Sequence, residues 1–83
     1  MIQKIKNYLE THEKEYELLR TLVENRGTVL TRDRLMNDIW GYSFAGESRT
    51  VDVHIRTLRQ KLGVAADLIE TIRGVGYKLG ERP

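Results

Sequence analysis

The chain has 83 residues, with 14 Lys/Arg against 12 Asp/Glu for a formal net charge of +2, and is 40% hydrophobic and 31% charged. These proportions fit one small soluble globular domain and exclude a disordered tail, and no apolar run approaches the roughly 18 residues of a membrane span. Cysteine is absent, which excludes disulfides and thiol chemistry and fits a reducing, cytoplasmic compartment.

In chain order, MIQKIKNYLETH at 1–12 lacks the uninterrupted apolar segment of a secretory signal. Ile2, Ile5 and Leu9 have helical spacing, which fits a backward extension of the first helix as well as an N-terminal linker remnant. EKEYELLRTLVEN at 13–25 reads as a helix that buries Tyr16, Leu19, Leu22 and Val23 and carries acidic residues in its first turn, where the helix dipole favours them. Asn25-Arg26-Gly27 ends it, with Gly27 suited to a left-handed cap, and Thr28-Val29-Leu30 is short and extended.

Thr31 reads as the N-cap of a second helix, 32–40, with Asp33 in the first turn and Leu35, Met36 and Ile39 facing the core. GYSFAGE at 41–47 is a glycine-bounded loop. SRTVDVHIRTLRQKLG follows as a third helix, capped by Ser48 or Glu47 and stopped at Gly63, with Val51, Ile55, Leu58 and Leu62 forming its buried stripe. Ile69–Ile72 and Tyr77–Leu79 are short strand candidates. Between them, Arg73-Gly74-Val75-Gly76 suits a tight turn with positive φ at the glycines. The expected fold is mainly α with a small β-hairpin (α+β): three helices plus a C-terminal hairpin, the makings of a winged helix-turn-helix. The domain expected is 13–80, with 1–12 ahead of it and 81–83 as a tail.

Charge is unevenly spread. Residues 1–47 carry seven basic and eight acidic side chains (net −1), and residues 48–83 carry seven and four (net +3). On the third helix Arg49, Arg56, Arg59 and Lys61 stand against Asp52 alone. A solvated face explains such a cluster, and so does an anionic partner. No catalytic constellation emerges: Ser43 in GYSFAG lacks the final glycine and preceding strand of a nucleophile elbow, and Gly74-Val75-Gly76 is followed by a strand rather than a phosphate-binding helix. His12 and His54 are far apart in sequence and have no cysteine near, so no metal site, cofactor or catalytic residue is expected.

Val53 does not belong to the apolar stripe. At about 100° per residue it points roughly 160° away, in a row with Arg49, Arg56, Thr57 and Gln60. A single exposed valine is commonplace on protein surfaces. On a helix lying in the major groove it has a use, because small apolar side chains contact the thymine methyl while arginines grip phosphates or pair with guanine. Arg73, at the hairpin tip, is then placed to reach an adjacent minor groove.

KEYELL (14–19), VLTRDRLMNDIWGY (29–42), SRTVDVHIRTLRQKLG (48–63) and IETIRGVGYKL (69–79) stand in order and at family spacing. Through them the chain resembles the effector domain of the OmpR/PhoB family of two-component response regulators. The resemblance implies a bacterial transcription factor that binds double-stranded DNA as a tandem dimer on direct repeats. The third helix would enter the major groove through Arg49, Thr50, Val53, His54, Arg56, Thr57 and Arg59. Arg32 and Trp40 match backbone-contacting positions, and Thr71, Arg73, Gly74 and Tyr77 match the wing; for Trp40 and Tyr77, partial core packing is an equal reading. The loop with Tyr42, Ser43 and Phe44 resembles a segment that meets RNA polymerase in some members. A winged helix used for protein–protein interaction is the alternative reading.

Two departures stand out. Thr57 replaces a second basic residue that often follows Arg56, which implies weaker selection for guanine at that step. Members also place a four-stranded sheet before the first helix, and a phosphoacceptor receiver, phosphorylated by a histidine kinase in a phosphorelay, before that. Twelve residues are too few for either, so the sheet is expected to be missing here and the receiver to belong to a longer parent chain. Part of the helical core is then uncovered unless residues 1–12 fold over it or subunits pair.

Overall fold

The computed structural model describes residues 2–41 and 49–80. Tyr42, Ser43 and Phe44, the caps expected at Glu47 and Ser48, and the tail 81–83 lie outside the described residues.

Helix α1 runs from Ile2 to Glu24, 23 residues without glycine or proline. Residues 2–12 therefore extend the first helix and do not fold back over the core. The buried side of α1 also differs from the sequence expectation. Leu22 is fully buried as expected, but it is joined there by Leu18 and Glu15, whereas Tyr16 and Val23 are exposed and Leu19 only packs against the edge of the core. Two stripes of the same helical spacing coexist on this helix, and tertiary packing selects the one that starts at Glu15. The Glu15 carboxylate is compensated across the domain by Lys61, whose Nζ lies 2.6 Å from Oε1, as a buried charge requires.

Strand β1 is Leu30–Thr31, starting two residues later and ending one later than the extended piece expected at 28–30. Helix α2 follows at Arg32–Ile39, capped by the Thr31 hydroxyl, which accepts from the Arg34 backbone N–H at 3.1 Å. Helix α3 spans Arg49–Leu62 and passes into a 3-10 segment, Gly63–Leu68. Strands β2 (Ile69–Ile72) and β3 (Gly76–Leu79) form the hairpin. All three strands are antiparallel in the order β1-β3-β2, with Leu30 opposite Tyr77 and Ile69 opposite Leu79. The expected hairpin is thus the larger part of a three-stranded sheet, closed onto the helices by β1.

Leu18, Leu22, Leu30, Leu35, Val51 and Ile55 fill the centre, each at most 1% exposed. At about 25 cal/mol per Å² of apolar surface, burying such side chains is the main stabilising term in a domain this small. The three helices and the sheet share this core, so the positions of α3 and the hairpin are fixed relative to each other.

Candidate nucleic-acid interface

Burial of Val51, Ile55 and Leu58 against the core leaves the opposite face of α3 to solvent. Arg49, Val53, Arg56 and Gln60 lie along that face, all exposed, and Val53 is 61% accessible. Among the described residues, none of Arg49, Arg56 and Arg73 has an ion-pair partner. Their side chains project outward from the exposed face and tip.

The flank of α3 that meets the hairpin is organised differently. Asp52 Oδ1 accepts a hydrogen bond from Arg32 Nε at 2.9 Å and another from the Tyr77 hydroxyl at 2.6 Å. One carboxylate thereby joins the start of α2, the first turn of α3 and β3. Two turns later, Arg59 Nη2 donates to the Ile69 carbonyl at 2.6 Å and to Thr71 Oγ1 at 2.8 Å, and its guanidinium lies 5.8 Å from the centre of the Tyr77 ring. Burial raises the Tyr77 pKa first, and donation to Asp52 raises it further, since both favour the neutral phenol. Asp52 likewise raises the pKa of Arg32, through a hydrogen bond and through its charge.

His54 sits on the other flank. Its Nδ1 is 2.8 Å from the Thr50 carbonyl. A carbonyl can only accept, so Nδ1 carries the proton and Nε2 is left as the acceptor of the neutral ring. The ring meets Trp40 edge to face at 4.9 Å, and Trp40 in turn packs against the core. The Thr57 hydroxyl donates back to the Val53 carbonyl at 3.2 Å, an intrahelical bond that keeps this side chain close to the helix.

The hairpin tip depends on two glycines for different reasons. Gly74 has φ +76°, as expected for the turn, but Gly76 does not have a positive φ. It is the first residue of β3, and a Cβ there would stand 2.0 Å from the Leu30 carbonyl oxygen. Gly76 therefore permits close approach of β1, and only Gly74 supplies unusual torsion. The exposed Arg73 precedes Gly74 at the outer end of the wing.

The residues singled out from the sequence thus separate into two groups. Arg49, Val53, Arg56 and Arg73 face outward, while Arg32, Trp40, His54, Arg59, Thr71 and Tyr77 make contacts within the domain. Sequence reasoning missed Asp52, whose one signal was being the lone acid on a basic helix, and the crowding at Gly76. Among the described residues no group of three or more His, Asp or Glu side chains is placed to hold a metal ion.

Comparison with known proteins gives the same fold. The family described as "Transcriptional regulatory protein, C terminal" matches residues 6–79. The alkaline phosphatase synthesis transcriptional regulatory protein PhoP of Bacillus subtilis (strain 168) is 51% identical over 76 residues, covering 88% of this chain and 32% of that protein. The DNA-binding domain of Bacillus subtilis CssR superposes with a TM-score of 0.71 at 33% identity, over 80% of this chain and 73% of that one. The DNA-binding domain of the response regulator AdeR, solved in complex with an intercistronic region, gives 0.67 at 33% identity, over 82% and 70%. The chain spans about a third of the length of the curated relatives it matches.

Proposed function

The chain belongs to the family of C-terminal domains of transcriptional regulatory proteins, of the OmpR/PhoB response-regulator type, and from that premise we propose that it reads double-stranded DNA through α3 and the β2–β3 wing. The family is one of DNA-binding regulators rather than enzymes. The observation that carries the reading is the outward row Arg49, Val53, Arg56 and Gln60 on a helix whose opposite face is locked into the core. An α-helix fits the major groove, with its arginines on phosphates or guanine and Val53 against a thymine methyl.

Arg32, Asp52, Arg59, Thr71 and Tyr77 hold the wing at a fixed distance from α3, so that Arg73 and Gly74 arrive at the neighbouring minor groove when α3 is seated. Thr50 and His54 flank the reading face on the side of Trp40, and Thr57 contributes little to guanine selection because its hydroxyl is turned back onto the helix. We assign the DNA-binding unit to residues 13–80. In a longer parent, a receiver domain phosphorylated by a histidine kinase would control it, and subunits would bind direct repeats in tandem. The 42–44 segment is a candidate contact for RNA polymerase. No helix among the described residues is long and apolar enough to cross a membrane, and the place of action is the bacterial cytoplasm.

Amide NMR during titration with a duplex carrying direct repeats, at two salt concentrations, tests this reading. Shifts concentrated at 49–60 and 71–77, smaller at high salt because phosphate neutralisation releases counterions, are expected. A dispersed spectrum indifferent to DNA would instead favour a protein-interaction module.

A further inference from the structure

Helix α1 carries a second, largely apolar stripe that the domain leaves mostly uncovered: of its members, Leu19 packs against the edge of the core and His12 reaches α3, with Nε2 3.3 Å from Lys61 Nζ. Ile2, Ile5, Leu9, His12, Tyr16, Leu19 and Val23 alternate at spacings of three and four over the whole helix. That 3.5-residue period is the seam along which two helices pair. Ile2 is 70% exposed, Ile5 and Leu9 59%, Tyr16 67% and Val23 49%, a row too long to be scattered surface hydrophobics. It lies roughly 115° around the helix from the buried Glu15–Leu18–Leu22 side, so a partner helix can reach it without displacing the domain.

We propose that this stripe is a self-association surface, and that its occupant is α1 of a second copy of this chain running antiparallel. The charges beside the stripe select both partner and register. Setting Ile2 against the second copy's Leu19 brings Ile5 opposite its Tyr16 and Leu9 opposite its His12. Lys6 then lies between the same two layers as the second copy's Glu13, and the two-fold axis repeats that opposite-charge pair. A shift by one heptad would place Lys6 against Arg20 and Glu13 against its own copy, both like-charged. A parallel pair would need Glu15 to meet Arg20, but Glu15 is buried and held by Lys61 at 2.6 Å. A lipid surface is a poor occupant, since Gln3, Lys6, Glu10, Glu13, Glu17 and Arg20 beside the stripe are of mixed sign rather than basic. The contact is two-fold symmetric, whereas tandem subunits on direct repeats are related by translation, so it is a separate contact and does not depend on DNA binding.

Sedimentation of the 83-residue chain from micromolar to millimolar concentration tests the pairing. A concentration-dependent rise to dimer mass is expected, abolished by Leu9→Glu with the helical circular dichroism of the domain retained. Glu13→Lys should weaken the dimer roughly tenfold at low salt, and adding Lys6→Glu should restore it. A chain that stays monomeric throughout, or a dimer that ignores Leu9→Glu, overturns the proposal and leaves the stripe to a different segment or partner. A double charge exchange that stays as weak as the single one overturns the antiparallel register.

Discussion

Arg56 and Arg59 stand three positions apart on α3, and their surroundings have nothing in common. Arg56 is exposed with no ion-pair partner among the described residues, whereas Arg59 bridges to a backbone carbonyl and a hydroxyl of β2. An angular offset of about 60° around the helix separates them. One faces where a ligand would lie and the other faces the wing. On the proposed reading, the same residue type would act through affinity at one position and through the geometry of the domain at the next. Substitutions on the inner flank should read out in stability first, and those on the outer face in binding alone.

The sharpest break on the inner side is Gly76→Ala. A methyl group cannot occupy a point 2.0 Å from the Leu30 carbonyl and 2.8 Å from the Thr31 Cα without parting β1 from β3. Backbone on both sides has no rotamer with which to yield, so a loss of about 3 kcal/mol is expected in denaturant unfolding. Gly74→Ala keeps open space around its Cβ and is strained only by the torsion, so its loss should be smaller. Equal losses would mean that crowding at β1 is not what Gly76 relieves.

Arg59→Ala comes next. It removes two charge-assisted hydrogen bonds at a half-buried site, worth about 1–2 kcal/mol of stability. Binding should fall as well, because the wing loses its strut to α3. Hydrogen exchange in β2 is the discriminating measurement: protection should drop there and persist in α1. Unchanged protection with weakened binding would move Arg59 to the outer group.

Arg56→Ala is the matching test outside. Unfolding should be unaffected, with affinity lower by about 1 kcal/mol on every duplex and the salt slope reduced by roughly one unit. Loss of stability on this substitution would erase the contrast on which the assignment rests.

Tyr77 adds a pH dependence to the inner flank. Its pKa is raised above the ordinary value near 10 by burial and by donation to Asp52. The folded state thus holds this proton more tightly than the unfolded state. The associated stability is complete below pH about 10 and is lost as pH rises through the folded value. Tyr77→Phe should flatten that alkaline decline and should remove from the ultraviolet titration an ionisation above the ordinary tyrosine value.

The element order and the outward valine were legible because both depend on periodicity within one segment. Leu35, Met36 and Ile39 in α2, and Val51, Ile55 and Leu58 in α3, are buried as their spacing implies. On α1 the same reasoning met two stripes. It chose Tyr16 and Val23, yet Leu18 lies at the centre of the core. Nothing local distinguishes them, since Glu15 became tolerable inside only through Lys61, 46 positions away. The inner network was illegible for the same reason. Whether an arginine on α3 faces solvent or the wing depends on where β2 lies, and that is a property of the assembled sheet. The glycine pair in GVG marked a turn correctly but concealed two causes, torsion at Gly74 and proximity at Gly76.

Val53→Ala probes the smallest effect and the most specific one. The side chain is 61% exposed and lies apart from the core stripe, so its truncation leaves the fold unchanged. Removing two methyl groups from a contact with a thymine methyl should cost about 0.5–1 kcal/mol on a cognate duplex. On random DNA, where phosphate contacts dominate, the loss should be near zero. Competition binding of the variant against matched cognate and scrambled duplexes measures the difference directly. Equal losses on both would make Val53 a spacer on an electrostatic surface, leaving Arg49, Arg56 and the wing to carry recognition. A loss confined to the cognate site would assign the exposed valine to sequence reading and the arginines around it to placing the helix in the groove.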